Sequence, residues 1–219
     1  MSLSLYKKKR DFKQTSEPDT AIKTKGAVLS FVIQRHKASH LHYDFRLEMD
    51  GVLKSWAIPK GPSLNPADRR LAMMVEDHPY DYKNFKGVIP EGNYGAGIVE
   101  IWDEGTYTAL TDDKTADPRK LLKAGLNAGN LKFVLKGKKL KGEFALVKIK
   151  NRDSEKDNVW LLIKHNDSFA VHTEYNSENE TPKSSPINKA LAKGDDAVKE
   201  AKPPLKKKSV KALPKPKEK

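Results

Sequence analysis

The chain has 219 residues, enough for one domain with a sizeable core, or for a core of roughly 150 residues with tails. Its 42 Lys and Arg oppose 29 Asp and Glu, a formal net charge of +13 that favours a polyanionic partner such as nucleic acid or an anionic membrane surface. The absence of cysteine excludes disulfides and thiolate metal ligands, so a metal would have to be held by carboxylates, water or the six histidines.

Residues 1–26 read as a basic leading arm. The first 20 residues lack the apolar core of a signal peptide, and no stretch of 18 apolar residues occurs anywhere, so a soluble cytoplasmic protein is expected. Residues 27–168 read as one mainly β domain, with short runs of Val, Ile, Leu and aromatics between Gly, Pro, Asn and Asp turns. Candidate strands cover 27–34, 41–48, 52–58, 71–76, 97–103, 131–135, 142–150 and 159–164. Strands of this number and length predict a small closed or nearly closed barrel with one or two flanking helices. One helix is well signalled: Asp117 suits its cap, Pro118 its first turn, and Leu121, Leu122 and Leu126 form its apolar stripe.

The stretch 34–48, QRHKASHLHYDFRLE, carries the chemistry. Its second half alternates strictly, so His42, Asp44, Arg46 and Glu48 share one strand face while Leu41, Tyr43, Phe45 and Leu47 share the other. Same-face neighbours lie roughly 6.5 to 7 Å apart, and pleat and twist let His42 and Asp44 converge on one ion. His36, beyond a turn over 37–39, would swing in as the third ligand of a two-His, one-carboxylate site. A polar outer face of an edge strand would show the same alternation, but three of the six histidines fall within seven residues beside an Asp and an Arg. Imidazole and carboxylate suit Mn²⁺, Zn²⁺, Fe²⁺ or Co²⁺ about equally.

Downstream, Trp56 to Pro62 ends a strand in a Pro/Gly turn, and Arg69 and Arg70 open the next, which leads to Glu76-Asp77-His78-Pro79. If strand ends carry the functional side chains, Lys60, Arg70 and Arg46 together supply the positive charge that a phosphoryl transition state needs. His78, with Tyr82 four residues on, is a candidate phosphate donor or leaving-group acid. The Gly-rich turn over 88–97 lacks the spacing of a P-loop and reads as a barrel corner. His165 and His172 read as surface residues. Residues 169–219 read as a lysine- and proline-rich tail or linker. Twelve Lys, four acids and no aromatic over 183–219 cannot bury enough apolar surface to offset ordering entropy, so the end with Pro203, Pro204, Pro214 and Pro216 is expected to be disordered. A short helix in the region of residues 187–202 is compatible with the pattern.

Taken together, H-x5-H-x-D-x-R at 36–46, Trp-x-x-Pro-Lys-Gly-Pro at 56–62, Glu-Asp-His-Pro at 76–79 with Tyr82, and the turn 89–97 resemble the 3′-phosphoesterase module of bacterial DNA ligase D. The resemblance covers approximately residues 6–168. It implies a small β-barrel that binds Mn²⁺, with Co²⁺ and Zn²⁺ as alternatives, in a bacterial or archaeal cytoplasm. It also implies an enzyme acting on DNA or RNA/DNA 3′ ends, which removes a 3′-terminal ribonucleotide and hydrolyses the resulting 3′-phosphate to a 3′-hydroxyl, alongside ligase and polymerase components of end joining. By position, His36, His42 and Asp44 would be metal ligands, and Arg46 and His78 would hold the scissile phosphate. Gln34, Lys60, Arg70 and Tyr82 would line the same pocket, and Arg10, Asp11 and Glu17 would position the ribonucleotide end. Ligation by this chain alone is not expected, because its nearest match to a Lys-x-Asp-Gly adenylation motif, Glu48 to Gly51, has glutamate in place of the lysine. Two other readings remain open at this point: a barrel dioxygenase, which would bring His78 onto the metal, and a non-catalytic nucleic-acid module.

Overall fold

In the computed structural model, which describes residues 3–19, 28–149 and 158–194, the alternation of the first two strands sets the architecture. β1 (Leu29–Lys37) pairs antiparallel with β2 (Leu41–Met49), and Phe31 and Ile33 face the same side as Tyr43, Phe45 and Leu47, all buried. Asp50 and Gly51, with φ of 53° and 80°, make the tight turn into β3 (Val52–Ile58), a conformation that a two-residue hairpin loop favours. The chain continues through β4 (Arg69–Met74), β5 (His78–Pro79), β6 (Gly87–Ile89), β7 (Gly97–Ala109), β8 (Asn130–Gly137), β9 (Lys141–Lys148) and β10 (Val159–Lys164). Pairing runs β1-β2-β3-β4-β10-β9-β8-β7 and returns to β1, closing an eight-stranded antiparallel barrel; β5 is appended to β3 and β6 to β7.

Aromatic side chains fill the barrel. Phe45, Phe133 and Phe144 stack in series at 5.8 and 6.3 Å, and Trp56 meets Trp160 edge-on at 5.9 Å. Each large side chain buried this way contributes about 1.5–3 kcal/mol, and the packing leaves the interior as core rather than as a ligand chamber. Asp117 caps α2 (Pro118–Ala128) by accepting from the Arg119 N–H at 2.9 Å, and Gly129 ends it at φ 72°. The stripe of α2 is narrower than expected: Leu122 and Leu126 pack on the barrel, while Leu121, a 100° turn away from Leu122, is exposed.

β1 and β7 run furthest past their expected ends. β1 continues past residue 34 to Lys37 because β7 pairs with it along its whole length, and β7 reaches Ala109 because it pairs first with β1 and then with β8. Residues 27 and 150, at the ends of two expected strands, lie outside the described residues.

Of the leading arm, residues 3–19 lie against the outer wall of the barrel. α1 (Leu3–Lys8) buries Tyr6 in a second apolar cluster with Leu53, Tyr82, Phe85, Ile89 and Val99, and the Tyr6 hydroxyl donates to the Pro18 carbonyl at 2.6 Å. Of the segment read as a tail, residues up to Gly194 close one end of the barrel. There the Glu178 carboxylate accepts from Arg35 and Tyr43, Asn188 accepts from Arg35 at 2.9 Å, and Ile187 of α3 (Pro186–Ala192) is buried against Ile98. The proline-rich end for which disorder is expected, and residues 20–26 of the arm, lie outside the described residues. His172 is exposed, and His165 is half-buried beside Glu143 at 3.3 Å. Among the described residues no helix is long and apolar enough to cross a membrane.

Candidate metal centre

Because Phe45 and Leu47 point into the barrel, His42, Asp44 and Arg46 point outward, onto the wall that the leading arm covers. His36 reaches them by strand pairing and not from a turn: it opposes His42 directly, and Gln34 opposes Asp44. The His36 and His42 rings lie 4.8 Å apart between centroids, and one ligand atom from each of His36, His42 and Asp44 falls within 4.8 Å of the others.

The outer hydrogen bonds decide which nitrogen each imidazole turns inward. His36 Nε2 meets the Gly95 carbonyl at 2.9 Å and His42 Nδ1 meets the His40 carbonyl at 2.9 Å. A carbonyl only accepts, so both nitrogens donate, leaving His36 Nδ1 and His42 Nε2 to face the Asp44 carboxylate at 3.6 and 3.8 Å. These separations are too long for hydrogen bonds, and close to the roughly 3–3.5 Å between ligand atoms that share an ion at about 2.0–2.2 Å. The donor set therefore fits a divalent cation. Burial raises the Asp44 pKa, but Arg46, then His36 and His42, hold the carboxyl well below the usual carboxylate range.

Arg46 is buried and fixed on three sides. Its Nε donates to Gln34 Oε1 at 2.7 Å, Nη1 to Ser55 Oγ at 2.9 Å and Nη2 to Asp44 Oδ2 at 3.0 Å, while its guanidinium lies 4.8 Å from the Tyr82 ring centroid. Gln34 is anchored in turn, donating to the Tyr82 and Phe85 carbonyls at 2.9 and 2.8 Å. His78 Nδ1 donates to the Glu76 carbonyl at 2.9 Å, which leaves Nε2 to accept from Arg10 Nη2 at 3.3 Å. Burial, Arg46 and Arg10 depress the His78 pKa well below the ordinary imidazole value, so the ring is neutral at pH 7. Arg10 also donates to Glu17 at 2.8 Å and to Glu76 at 3.2 Å, and the Tyr82 hydroxyl donates to Glu17 at 3.0 Å. Burial and the Glu17 charge push that hydroxyl's pKa well above its usual value. These groups enclose a cavity of about 180 Å³ that is open to His36, His42, Asp44, Arg46, His78 and Arg10.

Residues 34–148 match the family model described as the DNA Ligase D 3′-phosphoesterase domain, a span that runs from within β1 to the end of β9 and includes His36, His42 and Asp44. The chain belongs to this family. It is 49% identical over 170 residues to the multifunctional non-homologous end joining protein LigD of Pseudomonas aeruginosa, covering 77% of this chain and 19% of that protein. Identity is 44% over 147 residues to the LigD of Mycobacterium tuberculosis, covering 67% and 18% respectively. It is 42% over 166 residues to that of Mycolicibacterium smegmatis, covering 75% and 21%. The chain thus spans about a fifth of the length of the curated relatives it matches.

Not all residues that the phosphoesterase resemblance picked out meet at this cavity. Lys60 and Arg70 line a separate cavity of about 400 Å³ at the barrel end, where Arg70 donates to Asp68 at 2.7 Å and to the Tyr175 carbonyl at 2.8 Å. The His36, His42 and Asp44 cluster lies on the outer face of the β1–β2 hairpin, whereas Lys60 and Arg70 face the cavity that residues 174–178 help to line. Asp11 is exposed and serves its own turn, accepting from the Lys13 N–H at 3.0 Å and from Gln14 at 2.9 Å, whereas Arg10 and Glu17 join the centre. Four contributors had no site role in the sequence reading: Ser55 under Arg46, Glu76 under Arg10, Tyr94 on the rim, and the Gly95 carbonyl behind His36. Glu76 and Tyr94 lie inside quoted motifs, but their roles depend on the arm packing against them; Ser55 has no spacing to mark it, and a carbonyl has no signature in sequence. The turn that holds Gly95, at φ 77°, is a wall of the metal centre as well as a barrel corner.

Proposed function

We propose that this chain is a metal-dependent phosphoesterase that heals DNA 3′ ends, removing a 3′-terminal ribonucleoside and hydrolysing the 3′-phosphate to leave a 3′-hydroxyl for ligation. The observation that carries the reading is that a two-His, one-Asp ligand set and two buried guanidinium groups open onto one small cavity. Family membership and the relatives' names support the end-joining context; ligase and polymerase components as partners are part of the proposal.

His36 through Nδ1, His42 through Nε2 and Asp44 would hold Mn²⁺, with Co²⁺ or Zn²⁺ as alternatives. When bound, such a cation polarises a phosphoryl oxygen as a Lewis acid. Among the described residues, Arg46 commits three of its five N–H groups, leaving one on each terminal nitrogen for two oxygens of a phosphate. Arg10 brings a second permanent charge to the opposite wall. His78 Nε2, released when a phosphate draws Arg10 away, can take a proton and donate it to a phosphate or leaving-group oxygen, because the anion supplies the counter-charge that burial withholds. Gln34 and Tyr82 hold Arg46 in place, and Glu17 holds Arg10.

The dioxygenase reading loses its support at His78, whose two ring nitrogens are engaged by Arg10 and the Glu76 carbonyl. The test is a strand ending in one 3′-ribonucleotide, incubated with Mn²⁺ and resolved over time. A 3′-phosphate intermediate followed by a 3′-hydroxyl product supports the proposal; an unchanged strand bound tightly by the protein would favour the non-catalytic module.

A further inference from the structure

The rim of the metal cavity carries an aromatic ring that the fold does not use. Tyr94 is 51% exposed, lies outside the apolar clusters, and still lines the cavity. Cations of the arm flank it: Lys9 Nζ lies 4.4 Å from the ring centroid and 3.3 Å from the hydroxyl, and the Arg10 guanidinium lies 5.7 Å from the centroid. Arg10 in turn reaches His78 at 3.3 Å, so one guanidinium separates the ring from the groups around the metal ligands. The ring is also held in register with those ligands, because the next residue, Gly95, accepts the His36 Nε2 hydrogen bond at 2.9 Å. A surface tyrosine that served only as a partner for Lys9 would need neither the cavity rim nor this tie to a metal ligand.

An exposed ring flanked by cations is the chemistry by which proteins hold single nucleobases: the face stacks on the base and the cations meet the backbone. In a strand whose 3′-phosphate enters the cavity, the base of the terminal nucleoside lies one sugar away from the phosphate. Tyr94 lies a comparable step from the centre, across Arg10. Resting on the function proposed above, we infer that Tyr94 is the stacking platform for the terminal nucleobase, so that it selects a nucleotide 3′ end over a phosphomonoester without a base. Stacking on a π-face tolerates all four bases, so the platform discriminates base from no base and not one base from another.

The experiment compares two 3′-phosphorylated strands, one ending in 2-aminopurine and one in an abasic nucleoside, with wild-type protein, Tyr94→Ala, Tyr94→Phe and Tyr94→Trp in Mn²⁺. Wild type should prefer the base-bearing end in kcat/KM by about 5- to 150-fold, the range to which about 1–3 kcal/mol of stacking converts, expressed mainly in KM. Tyr94→Ala should bring that ratio close to one, while Tyr94→Phe and Tyr94→Trp keep it, because the ring and not the hydroxyl does the selecting. An unchanged ratio in Tyr94→Ala, equal losses on both ends, or no preference in wild type would overturn the inference. Quenching of 2-aminopurine on binding is a readout independent of chemistry. Quenching by wild type and its loss in Tyr94→Ala support stacking even if no phosphate is released, in which case the phosphoesterase reading fails alone; no quenching by wild type overturns the platform.

Discussion

Replacing Arg46 by Lys keeps the charge beside Asp44 and removes the planar fork, which separates what the geometry contributes from what the charge contributes. The guanidinium donates in three directions, to Gln34, Ser55 and Asp44. A single ammonium on a shorter reach cannot meet all three. Ser55 Oγ retains its own bond to the Leu53 carbonyl at 3.0 Å, so the loss falls on Gln34 Oε1, which is buried and accepts from Arg46. A buried acceptor left without its donor costs about 1–3 kcal/mol, and that is the expected drop in unfolding free energy by urea titration. On the proposed function, loss of the two-oxygen grip lowers release of a 3′-phosphate at least tenfold, about 1.4 kcal/mol of transition-state stabilisation. Rates are to be taken well below the denaturation midpoint, so that unfolding does not masquerade as lost chemistry. Bound Mn²⁺, counted on the same samples by paramagnetic resonance, should be retained because the ligands are untouched. Full-rate catalysis by Arg46→Lys, or a metal site emptied by it, would refute the reasoning.

Three further outcomes follow from the same geometry. His78→Ala should keep bound Mn²⁺ and lose most phosphate release, since both His78 nitrogens face groups other than the ligand cluster; loss of metal would reinstate the dioxygenase arrangement. The depressed His78 pKa means that, below about pH 6.5, the unfolded chain binds a proton that the folded chain does not. Stability should therefore fall as pH drops below that value, by up to about 1.4 kcal/mol per pH unit from this group, and His78→Gln should flatten the slope in urea melts at pH 7 and 5.5. Ending the chain after Gly194 should preserve the fold while weakening DNA binding at low salt, whereas ending it after Pro182 removes Ile187 and the Asn188 bond to Arg35 and should cost about 2–4 kcal/mol. Equal melting of the two truncations would argue against a structural role for α3.

What the sequence disclosed is what has a period or a spacing. Alternation over residues 41–48 separated the face that enters the core from the face that turns outward, and turn residues marked the approximate number and position of the barrel strands. The clustering of His36, His42 and Asp44 was legible because they come from adjacent strands of one hairpin, where sequence distance and spatial distance run together. Long-range pairing was not legible. β1 reaches Lys37 because a strand sixty residues on pairs with it, and no local signal at Lys37 reports that partner. The same cause separates Lys60 and Arg70 from the centre: both lie near strand ends in sequence, but the 168–194 segment closes that end and gives Arg70 the Tyr175 carbonyl as a partner. The packing of the arm was hidden because its basic composition describes the solvent side of α1, while the buried side consists of Tyr6 and, further on, Thr15 and Glu17.

The proposed chemistry needs a cation bound by His36, His42 and Asp44. The most direct measurement takes chelated, metal-free protein and its Asp44→Ala variant, restores Mn²⁺ to each, and follows both bound metal and phosphate release from a 3′-phosphorylated strand. Wild type should bind Mn²⁺ and recover activity while Asp44→Ala does neither; full activity of Asp44→Ala in metal-free buffer would contradict the account.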